Sequence, residues 1–270
     1  MADGTIITKS RDASGPPGTA APTAMIAVRS LVKRIGAQEI LCGVDLDVAR
    51  GETLAIIGRS GGGKSVLLKH LIGLMQPDAG EIWIEGQNII GMTEWQLATI
   101  RQKVGILFQG SALFDSMTVE ENIAFPLREA GERDPRVLRA KVQEMLEVME
   151  LRGEEKKMPV NLSGGMKKRV GLARSIIRQP SCILYDEPTS GLDPVVSDSI
   201  NRLIRQLQKR FGVTSIVVTH DMKNAFDVAD RIAYLHKGRI YFHGTPEQLR
   251  QSSDSLLQDF LLGRSEGTGY

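Results

Sequence analysis

A chain of 270 residues suits one large domain, or a domain carrying an extra lobe, at about 100–200 residues per domain. Its 34 Lys and Arg against 32 Asp and Glu leave a net charge of +2, which excludes the global basic field that drives non-specific nucleic-acid binding. No run approaches the roughly 18 apolar residues of a membrane span, since Lys69 and His70 interrupt even residues 67–75.

The first 24 residues are rich in Gly, Pro, Ser, Thr and Ala and lack the apolar stretch of a secretory signal. Residues 1–25 therefore read as a disordered lead-in to a domain over 26–250. Cys42 and Cys182 lie far apart in apolar runs, the pattern of a reducing compartment with small buried hydrophobes in place of a disulfide.

Residues 53–57 read as a buried strand and 65–74 as the helix after it. Residues 111–179 are mostly helical. Thr118 and Glu121 have capping-box spacing, and Asp134-Pro135 opens a helix striped by Leu138, Val142, Met145, Leu146 and Met149. Ser163 caps another helix that ends before Pro180. Strands follow at 182–185 and 213–219, separated by an amphipathic helix that opens at Asp193-Pro194 and carries Ile200, Leu203, Ile204 and Leu207. Residues 231–243 predict a hairpin turning at Lys237-Gly238, and Thr245-Pro246 opens a C-terminal helix. Strands alternating with helices imply a mostly parallel, covered sheet, with 111–179 as an inserted helical lobe. From Ser252, Leu256, Leu257, Phe260 and Leu261 recur at helical spacing. This tail of 251–270 either packs on its own core or crosses to a neighbouring copy, and the crossing is the expectation.

Gly58-Arg59-Ser60-Gly61-Gly62-Gly63-Lys64-Ser65 matches G-x-x-x-x-G-K-S/T between a predicted strand and helix, the context that gives the match meaning. Glycines let successive backbone N–H groups converge on phosphate oxygens, and the helix N-terminus adds its positive dipole end. Lys64 then reaches the β- and γ-phosphates and the Ser65 hydroxyl ligates Mg²⁺. Such a loop needs a carboxylate at the end of a neighbouring buried strand, and the apolar run 182–185 ends in Asp186 and Glu187. Asp186 is expected to hold the metal. Glu187, one residue on, is placed to orient or deprotonate the water attacking the γ-phosphorus. Leu162-Ser163-Gly164-Gly165-Met166 supplies a second phosphate-friendly helix start, which taken alone is also an ordinary capped helix.

These motifs, with Gln109, Ser190-Gly191-Leu192-Asp193 and His220, stand in the order seen in the ATPases of ABC transporters, which the chain resembles over about residues 26–250. The resemblance implies a P-loop α/β fold with a mostly parallel core sheet, an antiparallel β subdomain and an inserted helical subdomain. It implies a head-to-tail dimer that holds ATP between the loop 58–65 of one copy and Ser163-Gly164-Gly165, with Leu162 and Met166, of the other. It also implies that Gln109 senses Mg²⁺ and the permease, that His220 contacts the γ-phosphate and that Asp193 lies at the dimer seam. The family usually carries an aromatic ring for adenine near residue 35. Here Arg34-Ile35-Gly36 stands in that place, so adenine is expected on the Ile35 face or the Arg34 guanidinium.

Leu113, Phe114, Phe125 and Leu127 follow the sensor glutamine and suit a docking groove for a partner helix, or else pack inside the lobe. That stretch, with the signature run and Met166-Lys167-Lys168-Arg169, resembles the ATPase of the Mla (maintenance of lipid asymmetry) phospholipid transporters. That resemblance implies a permease docking near 109–127, an MCE lipid-binding protein in the complex, and a peripheral place on the cytoplasmic face of the inner membrane. It implies no nucleic-acid partner. An import ATPase for another solute such as an amino acid shares every one of these residues. A soluble ABC protein of the ribosome or DNA usually has two cassettes or a coiled-coil insertion, and neither is seen in this sequence.

Overall fold

The computed structural model describes residues 24–264. The expected lead-in falls outside these residues except at its end. The first strand starts at Ala24 and buries Met25 completely, so the fold begins two residues before the predicted start. The last residues of the predicted tail, 265–270, also lie outside.

Two sheets make the frame. In the first, antiparallel sheet, β1 (Ala24–Ile35) lies between β2 (Gln38–Ala49) and β4 (Ala79–Ile84), with the short β5 (Gln87–Asn88) at the edge. The second runs in the order β10-β9-β3-β8-β7-β6, built from β3 (Thr53–Ile57), β6 (Val104–Leu107), β7 (Cys182–Asp186), β8 (Thr214–Thr219), β9 (Arg231–His236) and β10 (Arg239–Gly244). All its pairings are parallel except the β9–β10 hairpin. That hairpin turns at Lys237 and Gly238, both at positive φ (46° and 73°), the backbone a two-residue hairpin turn requires.

Period-2 alternation of the strands sorts the core into two layers. Leu54 and Ile56 of β3, Cys182 and Leu184 of β7, and Ile216 and Val218 of β8 face the layer that contains the antiparallel sheet, α1 (Lys64–Leu71) and α2 (Glu94–Arg101). On the opposite face, Ile183, Tyr185 and Val217 meet the helical lobe, made of α3 (Val119–Glu129), α4 (Pro135–Val148) and α5 (Gly164–Ile176), together with α6 (Pro194–Phe211). Farther along that face, Ala55, Ile57, Ile232 and Tyr234 pack on α7 (Met222–Val228), α8 (Pro246–Arg250) and α9 (Ser255–Leu261). Parallel strands covered on both faces become continuous apolar runs, which is why residues 53–57 and 182–185 are legible without alternation. The lobe's starts are fixed locally: Thr118 and Glu121 form the reciprocal capping box, Asp134 caps α4 ahead of Pro135, and Ser163 caps α5.

Of the two expected places for the tail, residues 255–261 take the one on their own chain's core. Leu257 is buried in its own chain's core, and the Phe260 ring lies 4.4 Å from that of Tyr234. Tyr234, Ala225 and Leu249 offer an apolar face within the same chain, and burying α9 there needs no second copy. Among the described residues no helix is long and apolar enough to cross a membrane.

Candidate nucleotide site

The loop 58–63 leaves the centre of the parallel sheet, between β3 and the first turn of α1. Its glycines answer to space and to backbone conformation. A Cβ on Gly58 would stand 2.5 Å from the Leu235 carbonyl oxygen, and Gly63 caps α1 at φ +96°, where its close neighbour is the Ile40 carbonyl of β2. The α1 N-terminus carries no acidic residue in its first turn, so its dipole end and N–H groups face the loop uncompensated.

Lys64 is nearly buried and folds back over the loop, donating to the Gly58 and Arg59 carbonyls at 2.7 and 3.0 Å. Burial pushes its ammonium pKa down, and Glu187 and Asp186 push it back up. Next to it the Ser65 hydroxyl donates to Asp186 Oδ1 at 3.1 Å. Burial raises the Asp186 carboxyl above the usual range, against the Ser65 hydrogen bond.

Glu187 follows the strand in a left-handed conformation, φ 48°. Its N–H donates to Val218 of β8 at 2.9 Å, and its carboxylate accepts from the Thr219 hydroxyl at 3.3 Å and faces His220 Nδ1 at 2.8 Å. Glu187 and His220, 33 residues apart, thus meet directly because β7 and β8 are parallel neighbours whose ends coincide. The Gln109 amide, just past β6, donates to Ser190 Oγ at 3.3 Å, so this side chain rests against the loop after Glu187.

Residues 162–166 form the start of α5 in the lobe. Ser163 accepts the Met166 N–H at 3.2 Å, Leu162 is buried in the lobe, and Met166 packs half-buried against it. Gly164 and Gly165 face Leu192 and Val196, and a Cβ on Gly165 would stand 2.6 Å from Val196. Asp193 caps α6, accepting the Val195 and Val196 N–H groups at 3.0 Å each, and Val195 beside it is 77% exposed. Ile35 is half-exposed at the end of β1, whereas the Arg34 guanidinium pairs with Glu39 at 3.2 Å. Both expected adenine contacts are open to solvent, Arg34 while paired with Glu39.

The four apolar residues after the glutamine divide. Leu127 is buried and Leu113 partly buried in the lobe core, the second of the two places expected for them. Phe114 and Phe125, with ring centroids 4.6 Å apart and Arg174 over Phe114, line an open groove of about 550 Å³ between the parallel sheet edge and the lobe. The division follows helix geometry: Leu127 lies on the α3 face that carries Ile123, and Phe125 on the opposite one. Cys182 is buried as expected and Cys42 is half-buried.

Sequence reasoning missed Lys168, whose side chain is buried and donates to the backbone carbonyls of Gln109 and Glu187. It also missed the buried chain Asn201–Asn224–Thr189, with Asp221 attached, that braces the segment after His220. No spacing rule signals either, because only packing brings their partners together.

A glycine-rich loop at the end of a central parallel strand, a histidine just past the adjacent strand β8 and an acid pair at the end of β7, one strand farther than the neighbouring strand expected, define a P-loop nucleotide hydrolase. The comparisons narrow the class. Residues 41–190 match the model of the ABC transporter family. The probable ribonucleotide transport ATP-binding protein mkl of Mycobacterium leprae is 42% identical over 90% of this chain and 70% of its own length. The intermembrane phospholipid transport system ATP-binding protein MlaF of Haemophilus influenzae is 39% identical over 90% of this chain and 92% of its own length. Among solved structures, a dimeric ATP-binding cassette in a post-hydrolysis state bound to ADP and Pi superposes with a TM-score of 0.75 at 32% identity, covering 82% of this chain and 98% of that one. The chain belongs to the ABC transporter family, as an ATP-hydrolysing, ATP-binding subunit.

Proposed function

We propose that this ATPase powers phospholipid transport between the inner and outer membranes, as a head-to-tail dimer on the cytoplasmic face of the inner membrane with an MCE-type permease complex. The observation that carries the reading is the stretch after Gln109 together with the run Leu162–Arg169, which resembles the ATPases of the Mla transporters, and a phospholipid-transport relative is 39% identical over 90% of this chain. Met166 in the signature run, singled out from the sequence, supports it.

In this reading ATP lies between the loop 58–65 of one copy and the Ser163–Gly165 helix start of the other. The backbone N–H groups of the loop and the Lys64 ammonium hold the β- and γ-phosphates, and Ile35 offers adenine an apolar face. Ser65 and Asp186 present hard oxygens 3.1 Å apart, a donor set that fits Mg²⁺, which takes one or two protein oxygens beside water and phosphate; Gln109 is the further expected donor. Bound there, the ion neutralises charge on the phosphates. Glu187 orients the attacking water, and its partner His220 contacts the γ-phosphate. Asp193 fixes the start of α6 at the seam. ATP closes the dimer and hydrolysis releases it, and the segment 109–127 passes that motion to a permease helix in the Phe114–Phe125 groove.

The test is affinity purification from detergent-solubilised membranes, with mass spectrometry of proteins and lipids. A polytopic permease, an MCE-domain protein and phospholipid in the eluate support the reading. A permease without MCE protein transfers the mechanism to another solute, as in the methionine import relative of Rhizobium etli, 42% identical over 94% of this chain. Absence of any membrane partner overturns the transport role.

A further inference from the structure

Lys167, Lys168 and Arg169 follow one another on α5, yet their side chains go to different places. Arg169 reaches the Met149 carbonyl and the Ser199 hydroxyl, both at 2.6 Å, and so ties the lobe to α6. Lys168 turns inward. Only 4% exposed, it donates to the Gln109 carbonyl at 2.5 Å and the Glu187 carbonyl at 3.2 Å. Burying an ammonium is expensive unless charge and hydrogen bonds compensate. Here the two carbonyls supply the bonds, and the nearby Asp186 and Glu187 carboxylates supply the opposite charge.

The two carbonyls belong to the segments that leave the paired strands β6 and β7. Gln109 follows β6, and its neighbours Phe108 and Ala112 line the groove that Phe114 and Phe125 share. Glu187 ends the acid pair in a left-handed conformation, its N–H anchored by Val218. With the N–H fixed by β8 and the C=O fixed by Lys168, the direction of the Glu187 Cα–Cβ bond is set, and with it the carboxylate that faces His220. Shifting the Gln109 carbonyl draws on the same ammonium.

We propose that Lys168 is a positioning residue, whose ammonium clamps the Gln109 and Glu187 carbonyls to the signature helix so that the place of the groove segment sets the aim of the Glu187 carboxylate. The inference rests on reading Glu187 as the group that orients the attacking water. It assigns to α5 a second task besides presenting its N-terminus to the opposite copy. A neutral side chain of similar volume fills the space but releases both carbonyls; an arginine keeps the charge and donors for both.

The test compares ATP turnover by the purified full chain with Lys168→Met, Lys168→Arg and Glu187→Gln variants, together with TNP-ATP affinity and melting temperature. Lys168→Met is expected to lower kcat at least tenfold with KM and TNP-ATP affinity within twofold of the unsubstituted chain, and Lys168→Arg to recover at least a third of kcat. Should Lys168→Met fail to fold, Lys168→Gln, which has a shorter reach and no charge, is held to the same criteria. A neutral variant with kcat within twofold of the unsubstituted chain overturns the proposal. So does a kcat loss matched by an equal loss of nucleotide affinity, or one that Lys168→Arg leaves unrepaired. If Glu187→Gln itself turns over normally, the reading of Glu187 fails and the clamp falls with it. If Glu187→Gln is inactive and Lys168→Met is normal, the clamp alone fails.

Discussion

Glu187 sits one residue past the end of β7 at φ 48°, a left-handed backbone that costs a side-chain-bearing residue roughly 1–3 kcal/mol unless its surroundings hold it. Val218, Thr219, His220 and Lys168 hold it. Replacing the carboxylate by an amide preserves size while removing the group that accepts a proton. Glu187→Gln is therefore expected to lower ATP turnover by about 10²-fold or more, about 3 kcal/mol of barrier, with TNP-ATP affinity retained and an ATP-dependent dimer accumulating on size-exclusion chromatography. Near-normal phosphate release by that variant would refute the assignment. The acid pair at a strand end, the glycine-rich loop before α1 and the Ser163 helix cap were all legible as structure, because each is set by residue types a few positions apart. The Glu187–His220 contact and the Lys168 clamp were not, since their partners are joined by sheet register and helix packing.

The helical lobe is written into its own caps. Thr118 with Glu121, Asp134 before Pro135 and Ser163 before two glycines each stop the chain and restart it as a helix, so three helix starts are visible without tertiary information. The antiparallel sheet was less legible. Register shifts interrupt β1, with Ser30 at φ 46°, and β5 has only two residues; bulges and short edge strands break the alternation that a sequence reading relies on. At α9 the apolar spacing of Leu256, Leu257, Phe260 and Leu261 established a helix and a sticky face but not what it sticks to. Leu257→Ala is expected to loosen the docking of α9 by about 2 kcal/mol, at the low end for a buried leucine near a chain end, and to raise amide exchange over residues 255–261 while leaving ATP-dependent dimerisation intact. Loss of dimerisation in Leu257→Ala would restore the crossing tail.

At the scale of the molecule, the parallel sheet divides the labour. One end of its strands carries the phosphate loop, Asp186, Glu187 and His220, as expected for ligands outside the carboxyl ends of parallel strands. Its β6 edge meets the lobe at the Phe114–Phe125 groove. An aromatic-lined groove next to Gln109 suits an apolar helix end from the proposed membrane partner. Introducing a charge there with Phe114→Asp is expected to abolish co-purification of a permease from solubilised membranes while TNP-ATP affinity stays within twofold. Undiminished permease in the eluate would move the docking surface elsewhere.

By itself the sequence determined the nucleotide chemistry, the strand-loop-helix unit that houses it and the family, because phosphate binding depends on backbone freedom and on residue types a few positions apart. The tertiary structure alone decided which of four apolar residues face the groove, where residues 255–261 pack, and that a buried lysine joins the Gln109 carbonyl to the acidic pair. Those outcomes depend on which faces of distant segments meet. Burial and sheet register set that through contacts separated by tens of residues, which no local pattern encodes.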